Sequence, residues 1–230
     1  MSATRSAASR VWLFDLDNTL HNASRAAFSG INAGMNDFMQ RELGLAHDEA
    51  DRLRRHYWLR YGATLLGLIR HHGVDAAAFL HHAHRLPELE ANLQAHRHDL
   101  AALASLRGRK YLFTNAPRAY ALRVLKALDI ERCFDGVIAI EDMCMFGHCR
   151  PKPDARMMRR VLARLRVSAS RCVLVEDTLA HQKAARSVGM ETVWMQRWAR
   201  GGALAASSRF AMRPHYVDRR VRRLAHLHKR

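Results

Sequence analysis

Two aspartates, Asp15 and Asp17, follow directly on the apolar run Val11–Phe14 in the segment VWLFDLDNTL. A spacing of two on an extended chain puts both carboxylates on one side, with Leu16 turned away. Further along, YLFTNAP closes an apolar run with Thr114 and Asn115. RPKPD holds Lys152 in a loop ahead of a helix, and VLVEDT ends in Glu176 and Asp177. These are the groups that metal-assisted phosphoryl transfer needs. A carboxylate can attack phosphorus and form an aspartyl-phosphate. A neighbouring carboxyl can protonate the leaving alkoxide and then deprotonate the attacking water. A lysine and hydrogen-bond donors offset the phosphoryl charge, and Mg²⁺ takes carboxylate oxygens together with water and phosphate. Each piece also has a plainer reading. A DxD after a strand is common, Thr-Asn is an ordinary turn, Lys152 between two prolines suits a solvated loop, and Glu-Asp-Thr suits a helix N-cap. Their occurrence in order, three of them at strand ends, points to a site.

The elements that would position these residues are legible as five short apolar runs: Val11–Phe14, Tyr111–Phe113, Val137–Ile140, Cys172–Val175 and Thr192–Met195. Continuous apolar runs of this length suit strands buried on both faces of a parallel sheet. Helical patterns lie between them at Ala119–Leu128, Ala155–Leu165 and Ala180–Val188. Strands alternating with such helices predict an α/β fold with a Rossmann-like, doubly wound parallel sheet. In such sheets ligands bind at the carboxyl ends of the strands, where the acids fall. Almost a hundred residues separate the first two runs, with helical patterns at Ala26–Leu43, Asp48–Tyr61, Thr64–His71, Asp75–Leu86 and His98–Leu106. This predicts an inserted all-helical subdomain over residues 23–100, a core from 11–22 and 101–230, and a frayed N-terminus over 1–10.

Composition narrows the classes. Hydrophobic residues make up 49% of the 230, so a packed core is feasible and general disorder is excluded. No apolar run approaches the roughly 20 residues of a membrane-spanning helix, and the opening MSATRSAASR has no apolar stretch before Val11. The four cysteines, Cys133, Cys144, Cys149 and Cys172, contain no CxxC pair, which suits a reducing cytoplasm better than a disulfide scaffold. Cys144, His148 and Cys149 lie close in sequence, without the second ligand pair expected of a zinc site. The formal charge of +17 would attract polyanions or anionic substrates. Its densest cluster, Asp218–Arg230, also carries Val217, Val221, Leu224 and Leu227 at helical spacing, which predicts a terminal helix with an apolar stripe and a solvated basic face. Nucleic acid can bind such a face, but no aromatic residues are interleaved with the charges, so that partner is not favoured.

The four segments resemble the motifs of the haloacid-dehalogenase-like superfamily, and the resemblance covers essentially the whole chain from Val11 to the expected terminal helix. DLDNT is similar to its DxDx[TV] first motif, Thr114 to its second, Lys152 to its third and Glu176-Asp177 to its acidic fourth. The resemblance implies Mg²⁺ as cofactor, Asp15 as nucleophile and metal ligand, and Asp17 as general acid/base with its main-chain carbonyl on the metal. It further implies Thr114, Asn115 and Lys152 on the phosphoryl group, Asp177 completing the metal site with Glu176 as an alternative, and the helical insert as a cap. Dehalogenases of this pattern lack an acid at Asp17, because a halide needs no proton, so a phosphatase is implied.

A narrower resemblance is to pyrimidine 5′-nucleotidases, carried by FDLDNTLHNAS, by the insert segment YGATLLGL (Tyr61–Leu68) and by the sequel to TNAP. It implies UMP, CMP or a deoxy counterpart as substrate, with Tyr61, Gly62 and Thr64 as substrate residues of the cap. The plain alternative for that segment is helix packing by Leu65, Leu66, Leu68 and Ile69. Glu176 stands where this branch more often has aspartate, and His181 where an asparagine is common. Other readings stay open: a phosphatase for another small phosphate such as a sugar phosphate, a phosphomutase, and a basic nucleic-acid-binding protein on the same scaffold.

Overall fold

The computed structural model describes residues 10–198 and 212–228. The expectation of a frayed segment over residues 1–10 therefore lies almost wholly outside the described residues. Six strands form one parallel sheet: β1 (Val11–Phe14), β2 (Arg109–Phe113), β3 (Gly136–Ile138), β6 (Cys172–Glu176), β7 (Glu191–Met195) and β8 (Arg219–Val221). Their order is β3-β2-β1-β6-β7-β8. All five pairings are parallel. The α/β reading and its Rossmann-like sheet hold. β1 and β6 are the inner strands and are buried at every position, which is why they read as unbroken apolar runs rather than alternating ones.

The helices α8 (Arg118–Ala127), α9 (Ala155–Leu165) and α10 (Leu179–Ser187) flank the sheet strands in sequence. Met157, Met158, Val161, Leu162 and Leu165 of α9 pack with Val11, Leu13 and Leu174 in one buried cluster. Asp154 caps α9, its side chain accepting from the Arg156 amide at 2.8 Å. The small antiparallel hairpin β4 (Cys144–Met145) and β5 (His148–Cys149) precedes the Lys152 loop. Phe146 and Gly147 both take positive φ in its two-residue turn, the geometry of a type I′ hairpin. Cys144 and Cys149 face each other across it, whereas His148 pairs with Met145. Cys144, His148 and Cys149 do not form a metal-ligand group among the described residues.

The predicted terminal helix is corrected. Arg219–Val221 is a strand pairing with Val193–Met195, followed by a short 3₁₀ helix at Leu224–His228. Val217, Val221, Leu224 and Leu227 are buried as expected, but the free edge of β7 offered main-chain hydrogen bonds that a helix would have left unmet. Asp218 seals the join by accepting from the Thr192 amide at 2.9 Å. The 3₁₀ turn is held to α7 (Arg97–Ser105) by Asp99, which accepts from the Leu224 amide at 2.8 Å.

The chain divides into two compact units, Met1–Ser24 with Leu93–Arg230, and Arg25–Asn92. The second unit is helical, with α2 (Phe28–Leu43), α3 (His47–Tyr61), α4 (Thr64–His72), α5 (Ala76–Ala83) and α6 (Leu89–Asn92); α1 (Ala23–Ala26) lies at its start. Its interior includes Phe38 edge-on to Phe79, and Arg54, which bonds Asn32, Asn36 and Asp51. The segment YGATLLGL forms the corner between α3 and α4. Gly62 ends α3 at φ 81° and donates to the Trp58 carbonyl, a left-handed cap that favours glycine. Gly67 faces the Tyr57 ring so closely that a Cβ there would overlap it.

Two outcomes follow from this packing. Gly67→Ala lowers the unfolding free energy by about 1–3 kcal/mol, the usual cost of overpacking, as measured by urea unfolding. The Arg156 side chain and amide hold the Asp154 carboxyl down at about 2, below the ordinary value of about 4. The unfolded chain therefore takes up its proton first on acidification. The stabilisation by Asp154, about 1 kcal/mol for an N-cap, is complete above about pH 4 and disappears as the pH falls through about 2. The stability difference between wild type and Asp154→Ala should shrink over that window.

Candidate active site

The register of the sheet assembles the acidic cluster. Phe14 pairs with Leu112 on one side and with Val175 on the other, so Asp15 emerges level with Glu176 at the carboxyl edge. The Asp15 amide continues the ladder by donating to the Val175 carbonyl at 3.0 Å. Thr114 follows the end of β2 in the same way, its amide donating to the Ile138 carbonyl. Gln182 of α10 braces the edge from behind, its buried amide donating to the carbonyls of Glu176 at 2.8 Å and Val193 at 2.7 Å.

Lys152 reaches this edge from the loop before α9. It is only 1% exposed. Its ammonium donates to Asp15 Oδ1 at 2.7 Å and to Glu176 Oε2 at 2.6 Å. Asn115 holds the lysine's main chain on both sides: its Nδ2 donates to the Lys152 carbonyl and its Oδ1 accepts from the Lys152 amide, each at 2.9 Å. Asn115 thus spends its amide on positioning Lys152. Thr114 is buried, and its hydroxyl oxygen accepts from the Ala116 amide at 3.0 Å.

Asp15, Glu176 and Asp177 each offer an oxygen within 4.8 Å of the others. Burial, followed by repulsion from Glu176, pushes the Asp15 carboxyl up to about 7. Burial and the same neighbour also push Asp177 well upward. Glu176 is held down against burial by Lys152 and by His181, whose Nδ1 lies 2.9 Å from Glu176 Oε2. The two carboxylates of Asp15 and Glu176 keep Lys152 charged despite its burial. Burial and mutual repulsion disfavour ionising all three carboxylates together. Once ionised, they and the Lys152 ammonium would carry a formal charge of minus two, which one divalent cation would cancel. Hard oxygen donors in this number suit Mg²⁺. Both oxygens of Glu176 have protein partners, Oε2 with Lys152 and Oε1 with the Thr178 amide, so Asp15 and Asp177 have the freer oxygens for an ion.

The Asp17 carboxylate lies outside this cluster. Its Oδ1 accepts from the Tyr120 hydroxyl at 2.8 Å and lies 3.0 Å from His21 Nε2. Neither His21 nor Tyr120 stood out in the sequence; the available signal was a histidine six residues after Asp15, next to Leu20 in the turn that follows β1. Tyr61, Gly62 and Thr64 belong to the helical unit and have local partners there. Tyr61 bonds His71 through its hydroxyl at 2.6 Å, and the Thr64 hydroxyl donates to the Arg54 carbonyl at 3.1 Å.

A family model for haloacid dehalogenase-like hydrolases matches residues 10–189. The chain belongs to that family. Its relatives include phosphate metabolism protein 8 of Saccharomyces cerevisiae, 28% identical over 80% of this chain and 60% of the yeast protein. A phosphorylated carbohydrates phosphatase of Thermotoga maritima is 35% identical over 43% of each chain. The chain thus spans less than two thirds of the length of either curated relative. Among solved structures, a haloacid dehalogenase-like phosphatase from Thermococcus onnurineus superposes with a TM-score of 0.61 over 95% of both chains, at 23% identity, which is likeness of fold. Among the described residues no helix is long and apolar enough to cross a membrane.

The acidic cluster makes a prediction that does not depend on turnover. Excess Mg²⁺ should raise the melting temperature of the wild type by roughly 5–10 °C at a hundredfold excess over the dissociation constant. Asp177→Asn should lose most of that rise; an undiminished rise would place the ion elsewhere.

Proposed function

We propose that this chain is a magnesium-dependent phosphomonoester hydrolase working through an aspartyl-phosphate on Asp15. The observation that supports this most is the placement of Asp15, bonded to a buried lysine and grouped with Glu176 and Asp177 at the carboxyl edge of the sheet. In this reading Asp15 attacks phosphorus, and Asp17 protonates the leaving oxygen and later takes a proton from the hydrolytic water. Lys152 offsets phosphoryl charge while Asn115 fixes its main chain, and Thr114 supplies a hydroxyl to the same group. Asp15, Asp177 and the main-chain carbonyl of Asp17 hold Mg²⁺, which when bound supplies positive charge against the phosphoryl oxygens. Glu176 serves to hold Lys152.

We further propose a pyrimidine nucleoside 5′-monophosphate as the substrate, on the resemblance of FDLDNTLHNAS and of Tyr61–Leu68. A sugar phosphate is the second reading, favoured by the Thermotoga relative, a phosphatase of phosphorylated carbohydrates. Phosphate release from a panel of esters with Mg²⁺ or EDTA separates the two. UMP and CMP should be hydrolysed best, EDTA should stop release, and Asp15→Asn should abolish it with the fold intact. Preferential release from sugar phosphates would replace the nucleotide reading. Full activity in Asp15→Asn would overturn the mechanism.

A further inference from the structure

Asp17 has an unequal environment at its two oxygens. Tyr120 donates its hydroxyl proton to Oδ1 at 2.8 Å, and His21 Nε2 lies 3.0 Å from the same atom. Oδ2 has no hydrogen-bond partner among the described residues, while the side chain keeps 20% exposure. His21 is completely buried, and its other ring nitrogen, Nδ1, has no partner among the described residues. An acceptor at 3.0 Å on one side and none needed on the other fixes the tautomer with hydrogen on Nε2, donating to Asp17. Tyr120 is 2% exposed, and burial together with Asp17 pushes its hydroxyl far above the ordinary phenol value, so it stays a donor. Two buried groups from different elements, the turn after β1 and the first turn of α8, thus converge on one oxygen.

We infer that His21 and Tyr120 are positioning residues that fix the Asp17 carboxyl through Oδ1 and so assign proton transfer to Oδ2. This inference rests on the hydrolase reading above. In the first step an Asp15 oxygen bonds to phosphorus and the bond from phosphorus to the ester oxygen breaks. The departing oxygen takes its proton from Asp17 Oδ2. In the second step water oxygen bonds to phosphorus, its proton returns to Asp17 Oδ2, and the bond to Asp15 breaks. Each step moves one proton, and the pair restores the enzyme. Without the two donors the carboxyl can rotate, and the protonated oxygen is no longer held toward the ester.

The consequence falls on esters whose leaving group needs a proton. An alkyl alkoxide does, whereas p-nitrophenolate departs without one. The experiment compares kcat/KM, which reports the steps through the first phosphoryl transfer, for an alkyl phosphate monoester and for p-nitrophenyl phosphate. Tyr120→Phe, nearly isosteric, and His21→Ala should each lose about tenfold or more on the alkyl ester, the scale of one hydrogen bond to a charged group. The loss on p-nitrophenyl phosphate should stay below about threefold on the same reasoning. His21→Gln, whose side-chain amide can donate from near the Nε2 position, should recover most of the alkyl-ester activity. Equal losses on both esters in Tyr120→Phe, or no loss on either, would overturn the positioning role while leaving the hydrolase reading in place. Absence of phosphate release by the folded wild type from every ester would overturn both.

Discussion

The Lys152 ammonium, shut away from water, lies 2.7 Å from Asp15 and 2.6 Å from Glu176. A charge buried this deeply is costly unless paired and fully bonded, so the surroundings are built to satisfy it. Asp15 and Glu176 arrive from adjacent parallel strands, level with one another through the register of β1 and β6. Asn115 grips the lysine's main chain from the end of β2. His181 lies against the same Glu176 oxygen as the lysine, and the Thr178 amide donates to the other. Remove the lysine and three carboxylates face one another with nothing between them. Keep it, and the repulsion that raises Asp15 and Asp177 remains, which a divalent ion would relieve.

The division of labour between the two acids of VEDT follows from the same interaction. Glu176 has an extra methylene over aspartate and reaches Lys152, whereas Asp177 has Thr178 Oγ1 as its described hydrogen-bond donor, at 3.2 Å. Glutamate at position 176 therefore spans to the lysine with a longer tether than an aspartate would give.

What was legible in the sequence was what burial writes most strongly. β1 and β6 stood out because strands covered on both faces are apolar throughout, and β2, β3 and β7 through their apolar stretches. Asp15, Thr114 and Asp177 stood out as polar residues at the ends of those runs, and Lys152 as a lysine between two prolines ahead of a helix. β8 was illegible for the opposite reason. It is three residues long, lies at the sheet edge, and carries the part-exposed Arg219 and exposed Arg220; its Val221 falls at helical spacing with Val217, Leu224 and Leu227 around it. The hairpin at Cys144–Cys149 has strands of two residues, too short for any period. Within the site, Asn115 was assigned by position to the phosphoryl group, and only the geometry shows its amide spent on Lys152. His21 and Tyr120 escaped notice because they meet Asp17 across 103 residues of chain in one case and through a non-repeating turn in the other. Contacts of that kind leave no periodic trace.

The order of the strands has a consequence for how the chain comes into being. β1, which leads to Asp15, precedes the other five described strands of the sheet in the chain, yet its neighbour β6 begins only at Cys172. At the usual pace of translation the interval is on the order of ten seconds or more. Throughout that time one edge of Val11–Phe14, wholly apolar, has no strand to pair with, and an open apolar edge is the surface from which chains associate wrongly. The helical segment Arg25–Asn92 is synthesised in the interval, from local contacts that form quickly. The nascent protein therefore carries a finished helical unit while the middle strand of its sheet still waits for its partner.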